Sequence, residues 1–370
     1  LMFALDNSLK NNPELVRIAG GWFPKALLVD VNSGHLNLIE AILEEKNGGP
    51  LSTKQLVELV ELKSSANAQL IEFSLNYFLQ DDARFDEVGP AGEVFWHLKS
   101  MEPEDVQKNP SFLRYEKISY DQEEVNPYLA QFEGALFDEL EGWEKEQPRD
   151  SEVVVSLIFP HWRSGTLPLS HSLSQLFPTA YEAPRVCFTF FDEENKKKFP
   201  GWVVRPQKYV YGLKEWYRTN GLIPGSLVHL KKGDHPGEIK VCCEKSRQNR
   251  EWLRTALIGS DQGIVLGMLK QNVLTTFNER MAIAVPDAQG FDEIWTKSNS
   301  SQEDSNRLIL KIMRELSKLN PQVHAQELYA AVNIVRRIPP GYVIHFLLTH
   351  PSIKHLGDLY FRISDEGGEN

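Results

Sequence analysis

Scattered carboxylates such as Asp287, Asp292 and Glu293 could do chemistry, because a few acids and a lysine suffice to hold the divalent metal of a nuclease. In a chain with 51 acidic residues such pairs also arise by chance, so they assign no reaction by themselves. The other reaction signatures are absent. The sequence contains no G-x-S-x-G elbow, no G-x-x-x-x-G-K-[ST] loop, no G-x-G-x-x-G turn, no H-E-x-x-H helix and no C-x-x-C pair. Cys187, Cys242 and Cys243 cannot make a disulfide framework, and the adjacent pair lacks metal-ligand spacing. His345, His350 and His355 recur every five residues, a spacing that scatters them around a helix and into a loop. The expectation is a protein without a catalytic motif, a metal or a cofactor.

Charge is the second chemical resource. Lysine and arginine number 40 against 51 acids, giving a net charge of -11 and a pI near 5.5, whereas chains dominated by phosphate contacts are usually basic. From Pro160 to Gly233, however, eleven cations face five anions, a balance of +6. A basic segment in an acidic chain suits specific DNA binding with modest non-specific affinity.

Strands and turns must position those cations. In Arg185–Phe191 the residues Val186, Phe188 and Phe190 fall on one face and Cys187, Thr189 and Phe191 on the other, as a strand's period of two requires. A turn at Asp192–Asn195, a lysine run at Lys196–Lys198, a strand at Gly201–Val204, a loop at Arg205–Lys208 and a strand at Tyr209–Tyr211 follow. A short helix then ends at Asn220-Gly221, which accepts left-handed backbone, and Pro224-Gly225 turns the chain into a strand at Ser226–Lys232. Upstream come a strand at Glu152–Phe159, a polar loop at Pro160–Gly165, a short strand at Thr166–Leu169 and a helical Ser170–Phe177. That order suits a small barrel plugged at one end by a helix.

Trp202-Val-Val204, Gly212-Leu-Lys-Glu-Trp216 and Asn220-Gly-Leu-Ile-Pro-Gly225 together resemble the plant-type B-three DNA-binding pseudobarrel, whose relatives include effector-binding domains of some bacterial restriction enzymes. The resemblance covers about residues 151–243, with Trp216 and Tyr217 as the helix aromatics. Ser226 departs from it, standing where the family usually has Asp. The resemblance implies that two arms hold double-stranded DNA, here His161–Thr166 and Arg205–Tyr211. Arg163, Arg205 and Lys208 would then supply charge, and Ser164, Thr166 and Gln207 neutral hydrogen bonds to phosphates or base edges. Trp162, Tyr209 and Tyr211 would buttress the arms or stack on a base. Without the resemblance the same cations read as solvated surface charge, and Tyr209 with Tyr211 as a cross-strand packing face.

The flanks follow another pattern. Helical spacing over Ser33–Glu45, a capping box at Ser52–Gln55, an apolar helix over Ala66–Gln80 and a hairpin formed by Arg84–Val88 and Glu93–Leu98 describe a winged helix at about residues 31–99. Its third helix is expected to expose Asn67, Gln69, Glu72 and Asn76, with no Arg or Lys, and its hairpin carries Asp86, Glu87 and Glu93. Such charge suits protein partners better than a major groove. A similar pattern closes the chain: helices over Glu303–Leu319, Gln326–Arg337 and Tyr342–Leu348, then a hairpin over Ile353–Ile363. Arg336, Arg337 and Lys354 make this second module the better candidate for nucleic acid. Asn126–Trp143 is expected as one docking helix, with Glu144–Asp150 and Ser298–Asp304 as linkers.

The expected protein is a multidomain α+β chain with a central seven-stranded-type β pseudobarrel and winged-helix domains at both ends. Its expected parts are a lead-in (1–30), a winged helix (31–100), connecting helices (101–150), the pseudobarrel (151–245), a small α+β unit (246–297) and a C-terminal winged helix (302–366). The expected function is recognition of double-stranded DNA, in a transcription regulator of prokaryotic character. A protein-interaction scaffold and a nuclease or defence component remain open. Without a run of about 18 apolar residues no membrane span is expected. From the cysteine usage and the lack of a recognisable secretory signal in Leu1–Leu5, the expected location is the cytoplasm, with the nucleoid if prokaryotic.

Overall fold

In a computed structural model of the chain, residues 2–364 are described except positions 19, 63–65, 116, 134–135, 141–151, 182, 247–249, 261 and 301–303. The expected linker at Glu144–Asp150, the break at Lys63–Ser65 and Trp143 lie outside the described residues. Contacts divide the chain into two compact units, one of residues Leu1–Lys108, Phe177–Thr189 and Pro200–Gln207 and the other of the remainder. No described helix is long and apolar enough to cross a membrane.

Seven strands form one mixed, curled half-barrel sheet in the order Glu152–Ser156, Leu227–Lys232, Glu238–Cys242, Arg185–Asp192, Lys197–Val204, Tyr209–Tyr211 and Thr166–Pro168. The strand at Arg185–Asp192 keeps its alternation: Val186, Phe188 and Phe190 are buried, and Cys187, Thr189 and Phe191 half-buried. The lysine run is not a separate loop, because Lys197 and Lys198 open the next strand. Asp192 makes the preceding turn by accepting from the backbone N–H groups of Glu194 and Asn195. The helix Lys214–Asn220 stops at Gly221, left-handed at φ 65°. At the Pro-Gly turn Ser226 Oγ accepts from Ile223 N at 2.9 Å, so a hydroxyl closes the turn.

At Phe159–Ser164 the expected polar loop is instead a helix. Pro160 brings a φ preset for a first helical turn, and Gly165, at φ 70°, ends the helix in left-handed backbone. The docking helix is also corrected: it spans Gln122–Glu133, and at Leu136–Leu140 the chain is no longer helical. There Asp138 Oδ1 accepts from Leu140 N, a local turn that competes with helix. The expected linker at Ser298–Asp304 begins inside the helix Ala288–Ser300.

The flanking modules repeat one element order. In the first, helices Ser33–Glu45, Thr53–Val60 and Ala68–Asp81 precede the hairpin Phe85–Glu87 with Phe95–Leu98, and the short strand Leu51–Ser52 pairs beside Phe95–Leu98. In the second, helices Ser305–Leu319, Ala325–Val332 and Pro340–Thr349 precede Ile353–Gly357 with Tyr360–Ile363, and Val323–His324 pairs beside Tyr360–Ile363. Asn76 is not exposed as expected. It is buried, its Oδ1 taking hydrogen bonds from Trp96 Nε1 at 2.9 Å and Thr53 Oγ1 at 2.5 Å.

A long hairpin, Arg250–Ile258 with Ile264–Asn272, precedes the second module, and Ile283–Ala284 pairs parallel to its first strand. One continuous core joins Leu129 and Phe132, Phe159, Ala256 and Leu266, Phe291 and Trp295, and the apolar faces of the last three helices.

Candidate nucleic-acid interface

The arm residues implied by the resemblance occupy different environments. Trp162 is half-buried against the core and donates from Nε1 to Leu222 O at 2.7 Å. Arg163 grips Asp292 through two hydrogen bonds, 2.8 Å from Nε and 2.5 Å from Nη2. Ser164, Thr166 and Tyr209 are buried, and Tyr211 is half-buried. Arg205, Gln207 and Lys208 are exposed on a turn, with Arg205 also donating to Ala183 O at 2.8 Å. Tyr209 pairs with Pro168 and Tyr211 with Thr166, so Lys208 and Gly165 stand at opposite ends of that strand pair. The carbonyl of Lys208 accepts from Leu169 N, and that of Gly165 from Leu213 N.

The first arm is held by a buried polar cluster that no sequence motif marks. Arg337 Nη2 donates to Asp138 Oδ1 at 2.7 Å and to Glu139 Oε1 at 2.9 Å. The other oxygen of Glu139 lies 2.9 Å from His161 Nε2, and His161 Nδ1 lies 2.8 Å from Thr166 Oγ1. An ionised carboxylate only accepts, so Nε2 carries the proton. Tyr329 donates its hydroxyl to Asp138. Burial alone would raise the pKa of Glu139, but Arg337 and His161 hold its carboxyl well below the usual range. Carboxylate, imidazole and hydroxyl stand in the order of a hydrolase triad, yet Thr166 has no exposed surface for a substrate.

Arg336 and Arg337, expected to face nucleic acid, are both buried. Arg336 Nε donates to Ser298 Oγ at 3.1 Å beside a cavity of about 560 Å³. The signal that marks them as interior was present: Ile334, Val335 and Ile338 surround them in sequence, and a charge in an apolar run is ordinarily buried and paired. Two of the three carboxylates named above are engaged, and Glu293 is exposed. Asp292 holds Arg163, and Asp287 Oδ1 caps its helix by accepting from Gly290 N at 2.9 Å. Among the described residues no three His, Cys, Asp or Glu come together as metal ligands.

Lys354 is where the expectation and an exposed cationic surface coincide. In the register of the closing hairpin Lys354 stands directly opposite Arg362, and both are exposed. Comparison with protein-family models gives no match, and comparison with curated proteins gives none either. On the other face of the hairpin Ile353 and Ile363 pack against the core and Phe361 is fully buried, with exposed His355 stacked on it at 4.7 Å. Two residues before Arg362, on the same face, Tyr360 carries the Arg280 guanidinium 5.6 Å above its ring. Arg280 also donates to His324 Nε2 at 3.1 Å. Burial, then the charge of Arg280, pushes the His324 imidazole down to about 4, so it stands neutral beside the guanidinium at neutral pH.

Proposed function

We propose that this chain binds double-stranded DNA through the backbone phosphates, with the closing hairpin of its C-terminal module as the principal contact. The observation that carries this reading is the cross-strand pair Lys354 and Arg362. Like charges directly opposite one another on a hairpin, with Cβ atoms about 5 Å apart, destabilise it, and a polyanion laid across them removes that repulsion. Arg280, stacked on Tyr360, extends the cationic face by one position.

In this reading the two flanking modules are winged helices, and DNA is met by the wing and not by the third helix. Pro340–Thr349 is buried from Pro340 to Ile344 and again at Phe346 and Leu347, so little of it can enter a groove. The seven-stranded sheet is read as a B-three-like pseudobarrel, supported by its strand count and by the helix between Tyr209–Tyr211 and Leu227–Lys232. Of its arms, Arg205, Gln207 and Lys208 have the exposure to touch phosphate. Arg163 would have to leave Asp292 first.

The test is a titration of a labelled duplex at several salt concentrations with the full chain and with Lys354→Glu plus Arg362→Glu. The expected result is weaker binding in the variant and a salt slope reduced by roughly two, one for each phosphate that the hairpin no longer neutralises. Unchanged affinity and slope would remove the hairpin from the interface.

A protein-interaction scaffold is the second reading. It is favoured by the pairing of Arg163 with Asp292 and by the burial of Arg336 and Arg337, which engage residues expected to meet DNA with the protein's own groups.

A further inference from the structure

Trp252 is 62% exposed, the most exposed tryptophan among the described residues and an unusual place to leave an indole. It lies on the first strand of the long hairpin, opposite Lys270, whose ammonium sits 5.6 Å from the ring centroid. Arg250, two residues earlier, shares the same face and is exposed. Arg254, two residues later, also shares it. Arg254 donates to Glu327 Oε1 at 2.5 Å and to the backbone carbonyl of Glu279. The next residue after Glu279 is Arg280, the guanidinium that covers Tyr360 beside Arg362 and Lys354.

Two ring–cation pairs therefore stand along one path linked by contacts: Trp252 with Lys270 beside exposed Arg250, and Tyr360 with Arg280 beside Arg362 and Lys354, while Arg254, only 13% exposed and held by Glu327, joins them through its hydrogen bond to the Glu279 carbonyl. The acids beside it do not cancel it evenly: Glu327 is occupied by Arg254, exposed Glu279 and Asp358 lie beside Arg280, and the Trp252 end offers only half-buried Glu251. Duplex DNA keeps its bases stacked inside and has no use for an exposed indole. An unpaired base does, because any base presents a π face, and cations alternating with rings are how sequence-tolerant single-strand grooves are built.

We infer that Trp252 is a base-stacking platform, and that the preferred partner is a duplex carrying a single-stranded extension: the paired part lies on the hairpin of Lys354 and Arg362, and the unpaired part runs over Arg280 and Arg254 to Trp252. The inference rests on the DNA-binding reading above and goes beyond it by naming the form of the nucleic acid.

The experiment uses the full chain and two fluorescein-labelled probes, a blunt duplex and the same duplex with an oligothymidine overhang, followed by anisotropy. The overhang probe is expected to bind more tightly than the blunt one. Trp252→Ala is expected to lose at least about fivefold on the overhang probe and to leave the blunt duplex unchanged, with Trp252→Phe in between. Equal binding of both probes by the parent chain, or no loss in Trp252→Ala, overturns the stacking platform while leaving the duplex reading intact. Absence of binding to either probe overturns both.

Discussion

Arg337 meets Glu139 at 2.9 Å where water does not reach, and the far oxygen of that carboxylate fixes His161 in the helix Phe159–Ser164. A residue from the last third of the chain thereby sets the position of the segment that precedes the sheet strand Thr166–Pro168. The link is short, charged and dry. Two carboxylates share one guanidinium there, and removing that guanidinium leaves both as interior charges without their cation.

Arg337→Ala is expected to destabilise the protein by about 3–5 kcal/mol, the usual loss when a buried ion pair is broken from one side. Urea unfolding followed by tryptophan fluorescence measures it. Arg337→Lys is expected to recover little, because a single ammonium cannot reproduce the forked grip on both Asp138 and Glu139. A loss below about 1 kcal/mol in Arg337→Ala would mean that the cluster contributes little to the fold.

Glu102 predicts a pH dependence of the opposite sense to ordinary acid unfolding. Its side chain is fully buried 3.6 Å from Arg185, which is itself committed to Asp86 at 2.9 Å and 2.5 Å. Burial first, and the Asp86 carboxylate second, push the Glu102 acid from its ordinary 4.5 up to about 8. The folded state therefore retains a proton that the unfolded chain releases. Stability from this group is complete below pH 4.5 and falls as pH rises through 8. The urea midpoint of the parent chain is expected to drop between about pH 4.5 and pH 8, and that of Glu102→Gln to drop less over the same interval. Parallel curves for the two proteins would place the titrating group elsewhere.

Gly225 combines two constraints that no other residue type meets. Its φ is 94°, and a Cβ built on it would lie 2.3 Å from Ala282 Cα, a backbone atom without room to yield. Gly225→Ala is expected to lose at least about 1–3 kcal/mol, the scale of left-handed strain alone. The melting temperature reports it. An unshifted value would show that the turn can move away from Ala282.

Much of the fold was legible because it rests on local rules. The strand Arg185–Asp192 alternates, the helix Ser33–Glu45 follows its apolar spacing, Ser52–Gln55 caps the next helix, and Asn220-Gly221 ends the helix Lys214–Asn220 ahead of the Pro224-Gly225 turn. What misled was the same composition in a different context. Pro160-His-Trp-Arg-Ser reads as a polar loop until the core supplies a partner for each group: Glu139 for His161, Leu222 O for Trp162 and Asp292 for Arg163. Those partners lie 22, 60 and 129 positions away, beyond any window over which periodicity speaks. The candidate interface was half visible. Lys354 announced itself as a cation on a hairpin, whereas the path from Trp252 through Arg254 to Arg280 exists only once the long hairpin meets the last module.

The shared core of Phe159, Phe291 and Trp295 with the last three helices bears on how the chain can be cut. A fragment ending at the last sheet strand would strip Phe159 and Trp162 of their cover and leave His161 without its carboxylate's counter-charge. The half-barrel sheet is therefore not expected to stand alone once the C-terminal helices are removed.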